Sequence, residues 1–521
     1  MNENGLFPYI PAPHGAEAPT VTLEHCGDGN YLSVYEDIKK EDYVTYLAIL
    51  EEAGYIKYAD NGEGLGGAVF TATYIKHKWQ ITVTYIHKQK KMYLSVCFDK
   101  PLSECLIYKE DYLAGNQPGA KTKLHMLELW YFGNSFVIQL KNGHFIISDG
   151  GWHDDAAYLL DYLEALVPEG EKPVVEAWLI SHAHIDHCGV FRELWGEHAE
   201  RILVNGIYYH FIEEGLYVNE QSSWVNLAFM KWSCTRFRDE RGEQTRIYRP
   251  HTGQRLYFSD VTVDVIHTHD QLLHELASGD INESSTWYML TMEGQKCLLT
   301  GDGEKGCMKT LMATFDSEYL NVDMMTLMHH GFNTRNSFTD FCKVKTLLLT
   351  VRDRLPVCQA NENDYLKEQV EEYVAWGDGA KVFTFPYTVG SYETLCKQKW
   401  IYHDEAKREE QGNLRRYWRV VHKDKEIRTL RIQDNGHVEA RKRLLDKIQE
   451  HLPPRLTDEG MMIELRILPD GAEDKPYTIV FQELIGWVIS GKNEDDLYMA
   501  IDRFIGDAKW SDKGFIANEV Q

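Results

Sequence analysis

The chain has 521 residues, 43% of them hydrophobic and 12% aromatic, which is ample for well-formed cores and argues against wholesale disorder. Eighty acidic against 55 basic residues leave a formal net charge of −25, a field that repels long nucleic acid unless a local basic stripe overcomes it. No apolar run reaches the roughly twenty residues needed to span a bilayer, and Met1–Pro8 has neither a basic n-region nor an apolar h-region. Membrane spanning and secretion are therefore disfavoured, and a cytoplasmic location is expected.

The length leaves room for about three domains. From Glu41 to Gly54, Tyr43, Leu47, Leu50 and Ala53 recur at helical spacing, and Phe70 to Phe98 then alternates apolar and polar residues as β-hairpins do. Residues 1–122 are thus expected to form an N-terminal α+β domain, its Tyr and Trp residues serving sheet packing. The ten cysteines contain no C-x-x-C pair and are read as reduced thiols rather than a disulfide framework.

Next come Trp130-Tyr131-Phe132-Gly133-Asn134-Ser135-Phe136-Val137-Ile138 and Ile146-Ile147-Ser148-Asp149-Gly150-Gly151, the second ending in D-G-G. Asp149 is a candidate to orient a ligand histidine through its other ring nitrogen. His153 is a candidate substrate contact, and Asp154 or Asp155 is expected to N-cap a helix over Ala156–Leu166.

The run Pro173 to Ile180 is apolar and β-prone, and S-H-A-H-I-D-H-C-G follows it. His182-x-His184-x-Asp186-His187 packs four metal-ligand side chains into six positions, the donor set that suits a borderline-soft divalent ion such as Zn²⁺. In extended backbone His182 and His184 project to one side, while Asp186 and His187 open an expected helix through Trp195 and address a second ion. Cys188 is read as a small buried filler. Tyr208, Tyr209 and His210 are read as packing residues, and His267, His269 and His274 as ordinary strand-end or loop histidines. Two further strand ends follow, Cys297-Leu298-Leu299-Thr300-Gly301-Asp302-Gly303 and Asp323-Met324-Met325-Thr326-Leu327-Met328-His329-His330-Gly331.

Taken together, H-x-H-x-D-H after an apolar strand, L-L-T-G-D, H-H-G and the D-G-G hairpin resemble the metallo-β-lactamase superfamily, over roughly Leu124 to Leu395. That resemblance implies an α/β fold, a four-layer αβ/βα sandwich over 123–396, flanked by smaller N- and C-terminal α+β domains. It also implies two divalent ions, Zn with Mn or Fe as alternatives. His182 and His184 would hold one, Asp186, His187 and His330 the other, and Asp302 would bridge them. His330 is preferred to His329 because a glycine follows the ligand histidine in similar members, and because neighbouring residues of an extended strand end point to opposite sides; His329 is then left to orient another ligand or to transfer a proton. Many members carry another histidine about twenty residues before the bridging aspartate; here that position is Asn282, leaving Asn282 or a water to complete the first site.

Within the superfamily, the wording N-x-S, L-L-T-G-D, H-H-G is similar to the competence-protein (ComEC-type) branch of bacterial DNA uptake and to the phosphorylcholine esterases. The implied function is hydrolysis of a phosphodiester by metal-bound hydroxide, with Asp186, Asp302 and His329 as catalytic residues. A Zn²⁺-class ion lowers the pKa of bound water from about 16 to about 7. Small phosphodiesters are favoured over polymeric DNA by the net charge. A thioester, lactone or amide would be served by the same centre, and a non-catalytic metal-binding or regulatory module is the remaining alternative.

Past the metal region, the charged stretch Lys397 to Glu410 reads as a boundary, and 397–521 as a C-terminal α+β domain. Strands are expected at Trp418–His422, Ile427–Ile432, Met462–Leu468 and Tyr477–Phe481, with helices over His437–His451 and Asn493–Ile505. Lys407, Arg408 and Asn413 to Arg419 form a basic stripe that an exposed face explains without nucleic acid. Oligomeric state does not follow from the chain.

Overall fold

A computed structural model describes residues 10–13, 19, 21–23, 30–77, 79–98, 115–129, 132–194, 197–211, 234, 237, 245–272, 281–332, 336–352, 363–376, 379–395, 427, 430–454, 456, 461–468, 475–482, 486–511 and 515–519. They fall into two compact units, one within residues 1–400 and one within 401–521. Trp130, Tyr131, His274, the stretch Lys397–Glu410, the stripe with Lys407 and Arg408, and the strand expected at Trp418–His422 lie outside the described residues. Among the described residues no helix is long and apolar enough to cross a membrane.

The first unit begins with a six-stranded sheet, ordered Val21–Leu23, Asn30–Tyr35, Lys91–Phe98, Trp79–Ile86, Val69–Lys76, Ile56–Asp60. The helix Lys40–Glu52 buries Tyr43, Tyr46 and Leu50, three residues at i, i+3 and i+7, in a core with Tyr74, Ile81 and Leu94. Asp42 accepts from Lys39 N at 2.8 Å and so satisfies one of the orphan donors of the first turn. The boundary expected near residue 122 falls inside this unit. Hydrogen bonds join the sheet to the turn at 251–254: Thr71 Oγ1 and Thr84 Oγ1 both donate to Thr252 O at 3.0 Å, and Asn61 Nδ2 to Gly253 O at 2.9 Å.

Two larger sheets make up the rest of the unit. One runs Arg246–Tyr248, Gly206–Tyr208, Val174–Leu179, Phe145–Asp149, Ser135–Gln139, Lys123–Met126, Ala380–Thr384, Glu393–Leu395. The other runs Arg255–Phe258, Val261–His267, Trp287–Met292, Gln295–Leu299, Met324–Thr326, Thr346–Arg352, Glu372–Trp376. Their central strands are largely apolar, as expected of strands covered on both faces: Val175, Ala177, Trp178 and Leu179 in the first, interrupted by Glu176, and Leu347 to Leu349 in the second are buried. In the first, Phe145–Asp149, Val174–Leu179 and Gly206–Tyr208 are mutually parallel. In the second, Gln295–Leu299, Met324–Thr326 and Thr346–Arg352 are. Parallel pairing stacks the carboxyl ends of neighbouring strands, and this places the D-G-G, H-x-H-x-D-H, T-G-D and H-H-G segments at strand ends.

The second unit is a four-stranded sheet ordered Leu430–Gln433, Met461–Ile467, Gly486–Gly491, Tyr477–Gln482. The helix Val438–Gln449 buries Ala440, Leu444 and Ile448, and the helix Glu494–Gly506 buries Leu497, Ala500, Ile501, Phe504 and Ile505. Asn493 Oδ1 caps the latter by accepting from Asp496 N at 2.9 Å. The strand Gly486–Gly491 is additional to the expected elements.

Candidate metal centre

Backbone geometry sets the site. After Leu179 the chain leaves the sheet, and the expected helix through Trp195 is shorter than its pattern suggested: one helical turn, Ile185–Cys188, then a 3-10 segment, Gly189–Arg192. Gly133, at φ 147, lies under this loop; a Cβ there would stand 2.7 Å from Asp186 O, so the hairpin turn closes on the ligand loop only with glycine. Gly301 is the counterpart before Asp302, with φ 52 and room for a Cβ only 2.7 Å from Ser181 Cβ.

Two groups of donors result, each with its ligand atoms within 4.8 Å of one another: Asp186, His187, Asp302 and His330; and His182, His184 and Asp302. Asp302 belongs to both. His330 Nε2 is 3.0 Å from Asp186 Oδ2 and 3.3 Å from Asp302 Oδ2, and His187 Nε2 is 3.1 Å from Asp302 Oδ1. His182 Nε2 meets His184 Nδ1 at 2.9 Å. These separations match the edge of about 3.3 Å between donors that sit ~2.0 Å from a tetrahedral ion. His187 Nε2 and Asp302 Oδ1 are buried without a hydrogen-bond partner, an arrangement that a shared cation resolves. The donor set therefore fits divalent metal.

The far side of three of the imidazoles is anchored. Asp149 Oδ1 accepts from Ser181 N at 2.8 Å, and Oδ2 from Ser181 Oγ at 2.9 Å and His187 Nδ1 at 2.8 Å. His182 Nδ1 lies 3.0 Å from Ser181 Oγ and His330 Nδ1 lies 2.8 Å from Thr350 Oγ1. With Nδ1 tied to an oxygen, Nε2 of His182, His187 and His330 is the nitrogen left for an ion. Burial works against the charged form of His330, yet Asp302 and Asp186 outweigh it and hold its pKa up at about 9. The same carboxylate Asp302 is held well below its usual range: burial opposes its charge, but His187, His330 and His329 prevail.

One premise needs correction. His329 and His330 are not extended neighbours: the strand stops at Thr326, and both residues take left-handed backbone, φ 46 and φ 50, in a turn over Met328–Gly331. That turn, rather than strand alternation, separates the rings. His330 is 1% exposed inside the four-donor group, whereas the His329 side chain is 23% exposed, with Nδ1 on Glu304 Oε1 at 2.5 Å and Nε2 3.9 Å from Asp302 Oδ2. Burial lowers the basicity of His329, but Asp302 and Glu304 more than compensate and raise it.

Other sequence candidates lie around this centre. Asn282 opens the 3-10 turn Asn282–Ser284; the following Ser285 Oγ accepts from Asp302 N at 3.1 Å, and Glu283 caps the helix Lys305–Thr314 through Gly306 N and Cys307 N. His153, in the turn His153–Asp155, enters neither donor group and lies 3.5 Å from Asp154 Oδ2. The expected cap by Asp154 or Asp155 is replaced: Asp155 occupies the N-cap position without a side-chain cap, its Oδ2 accepting instead from Trp152 N. Cys188 is buried, donates to His184 O, and its thiol is pushed up by burial.

Sequence reasoning missed Glu304, two residues past Asp302 and thus in reach of any group on the same strand end. It also missed an aromatic wall, in which Phe132 lies 5.4 Å from the His330 ring and 5.8 Å from Phe332, itself stacked on His329.

Residues 129–331 match the model of the family described as the metallo-beta-lactamase superfamily. Among solved structures the chain is similar to the metallo-beta-lactamase fold protein YhfI from Bacillus subtilis, at 13% identity over 50% of this chain and 99% of that one, with a TM-score of 0.33. It is also similar to Tm1679, described as a metal-dependent hydrolase of the beta-lactamase superfamily, at 12% identity over 50% and 97%, with a TM-score of 0.31. No curated protein matches the chain. The segment that resembles the metallo-β-lactamase superfamily carries Asp149 and every member of both donor groups, so the match falls on the region that holds the candidate metal centre.

Proposed function

We propose that this chain is a metal-dependent hydrolase that cleaves a phosphodiester of small or modest size. The observation that carries the reading is the sharing of Asp302 by two buried donor groups, the disposition suited to a pair of divalent ions. When bound, such ions supply an acidified water and offset the charge that grows on a phosphoryl group under in-line attack. His182 and His184 would hold one ion and Asp186, His187 and His330 the other, with Asp302 common to both.

The remaining residues orient and exclude. Asp149 and Ser181 hold His182 and His187 in the required tautomers, while Phe132 and Phe332 keep water from one side of His330. His329, steered by Glu304, is placed to hand a proton to a departing alkoxide, the group a phosphodiester releases and a poor leaving group without one. The resemblance of N-x-S, L-L-T-G-D and H-H-G to the competence-protein and phosphorylcholine-esterase branches supports the same substrate class, and the charge of −25 weighs against long nucleic acid.

The test is a panel on the metal-reconstituted full chain: bis(p-nitrophenyl) phosphate, p-nitrophenyl phosphate, a thioester, a lactone and a chromogenic β-lactam. The diester is expected to turn over fastest. Faster turnover of thioester or lactone would replace the substrate class, and no turnover at full metal load would favour a binding or regulatory role.

A further inference from the structure

A third cluster lies apart from the two donor groups. His210 follows the strand Gly206–Tyr208, and His269 and Asp270 follow the strand Val261–His267; all three are at least nine-tenths buried. His210, read from sequence as a packing residue, His269, read as a strand-end or loop histidine, and Asp270 bring one ligand atom each to within 4.8 Å of one another. We propose that His210, His269 and Asp270 form a separate binding site for a Zn²⁺-class ion.

Hydrogen-bond polarity leads to this. His210 Nδ1 lies 2.6 Å from Pro250 O, and since a carbonyl only accepts, Nδ1 carries the hydrogen. Nε2 then turns toward Asp270 Oδ1, at 3.2 Å, and makes no hydrogen bond. A ring lone pair facing a buried carboxylate is unfavourable unless a cation stands between them. A proton satisfies two groups, but here a third donor converges: His269 contributes a ring nitrogen to the same cluster, and its Nδ1 is buried with no hydrogen-bond partner. The 3.2 Å separation is again close to the edge of about 3.3 Å for donors ~2.0 Å from a tetrahedral ion.

The outer groups complete the picture. His251 Nδ1 lies 3.2 Å from Asp270 Oδ2 and orients the carboxylate, as partners of metal ligands commonly do. His251 begins the turn that the N-terminal sheet grips through Thr252 O and Gly253 O. An ion here would therefore fasten the ends of two strands from different sheets next to the seat of the N-terminal sheet. Arg249 is near enough to act on both imidazoles, and since its charge opposes any cation, an ion held through nitrogen donors tolerates it better than a hard cation held by charge alone.

The experiment uses the full chain, stripped with a chelator and reloaded with Co²⁺. Cobalt equivalents are counted for the wild type, His269→Ala and Asp270→Asn, and Asp302→Ala reports the main centre separately. One equivalent fewer in each of the first two variants is expected, with the Asp302→Ala loss additive to it. Equal cobalt in wild type and both cluster variants overturns the site while leaving the main centre standing. Anomalous scattering from cobalt-soaked wild-type crystals decides without any variant: a peak between His210, His269 and Asp270 is expected, and its absence overturns the proposal even if the variants fail to fold.

Discussion

Asp149→Asn isolates the support of the metal centre from its ligands. The carboxylate accepts three hydrogen bonds, from Ser181 N, Ser181 Oγ and His187 Nδ1, all between 2.8 and 2.9 Å. It sits at φ 55, left-handed backbone that asparagine adopts nearly as readily as aspartate, so the main chain has no reason to move. Asparagine keeps an oxygen for Ser181 N but turns an amide N–H₂ toward two groups that both donate. His187 must then rotate or shift its hydrogen to Nε2, the nitrogen needed at Asp302. Loss of such an outer partner costs about 10–100-fold in metal affinity, or about 1.4–2.8 kcal/mol at 1.4 kcal/mol per tenfold. The assay is competition for Zn²⁺ against a chromophoric chelator, with circular dichroism to confirm the fold. Affinity within twofold of wild type would refute the claim that Asp149 sets the His187 tautomer.

Activity should disappear with a chelator and return with Zn²⁺, Mn²⁺ or Fe²⁺, with one to two equivalents at the main centre by elemental analysis; transition metal absent after expression in supplemented medium would contradict the catalytic reading. Asp302→Ala should lose most activity with the fold retained, because that carboxylate serves both donor groups, whereas Cys188→Ala should leave turnover nearly unchanged; equal rates for the two would show the roles misassigned. His330→Asn should lower metal content, and His329→Asn should keep the metal while slowing turnover by about 10²–10⁴-fold, the usual contribution of a proton-transfer group; asparagine is chosen because both positions have positive φ, and metal loss in the His329 variant alone would reverse the assignment. Leu444→Ala, fully buried in the helix Val438–Gln449, should destabilise the second unit by about 2–5 kcal/mol, and an unchanged denaturation midpoint would contradict the core described for it.

Much of the centre was legible because its information is local. H-x-H-x-D-H places four candidate ligands within one loop, and T-G-D and H-H-G mark strand ends whose parallel pairing brings them to one rim. Asp149 was readable as an outer partner because metal-bound imidazoles usually donate their other N–H to a carboxylate or carbonyl, and the pairing of its strand with the one carrying the H-x-H-x-D-H loop brings it there. The helix face of Tyr43 and Leu50 followed from periodicity alone.

What sequence alone determined, then, was the set of short-range patterns: which segments are strands, where ligands crowd, and which chemistry that crowding suits. Tertiary structure decided whatever depends on residues far apart in the chain. His329 and His330 are separated by a left-handed turn that no strand pattern foretells, and Glu304 acquires meaning only when His329 arrives 2.5 Å from it. His210, His251 and the adjacent pair His269 and Asp270 come from three different strand ends, so each alone reads as an ordinary buried or loop residue. Only the packed fold, by removing water from all four at once, turns their unpaired nitrogens and the shared carboxylate into a physical demand for a cation.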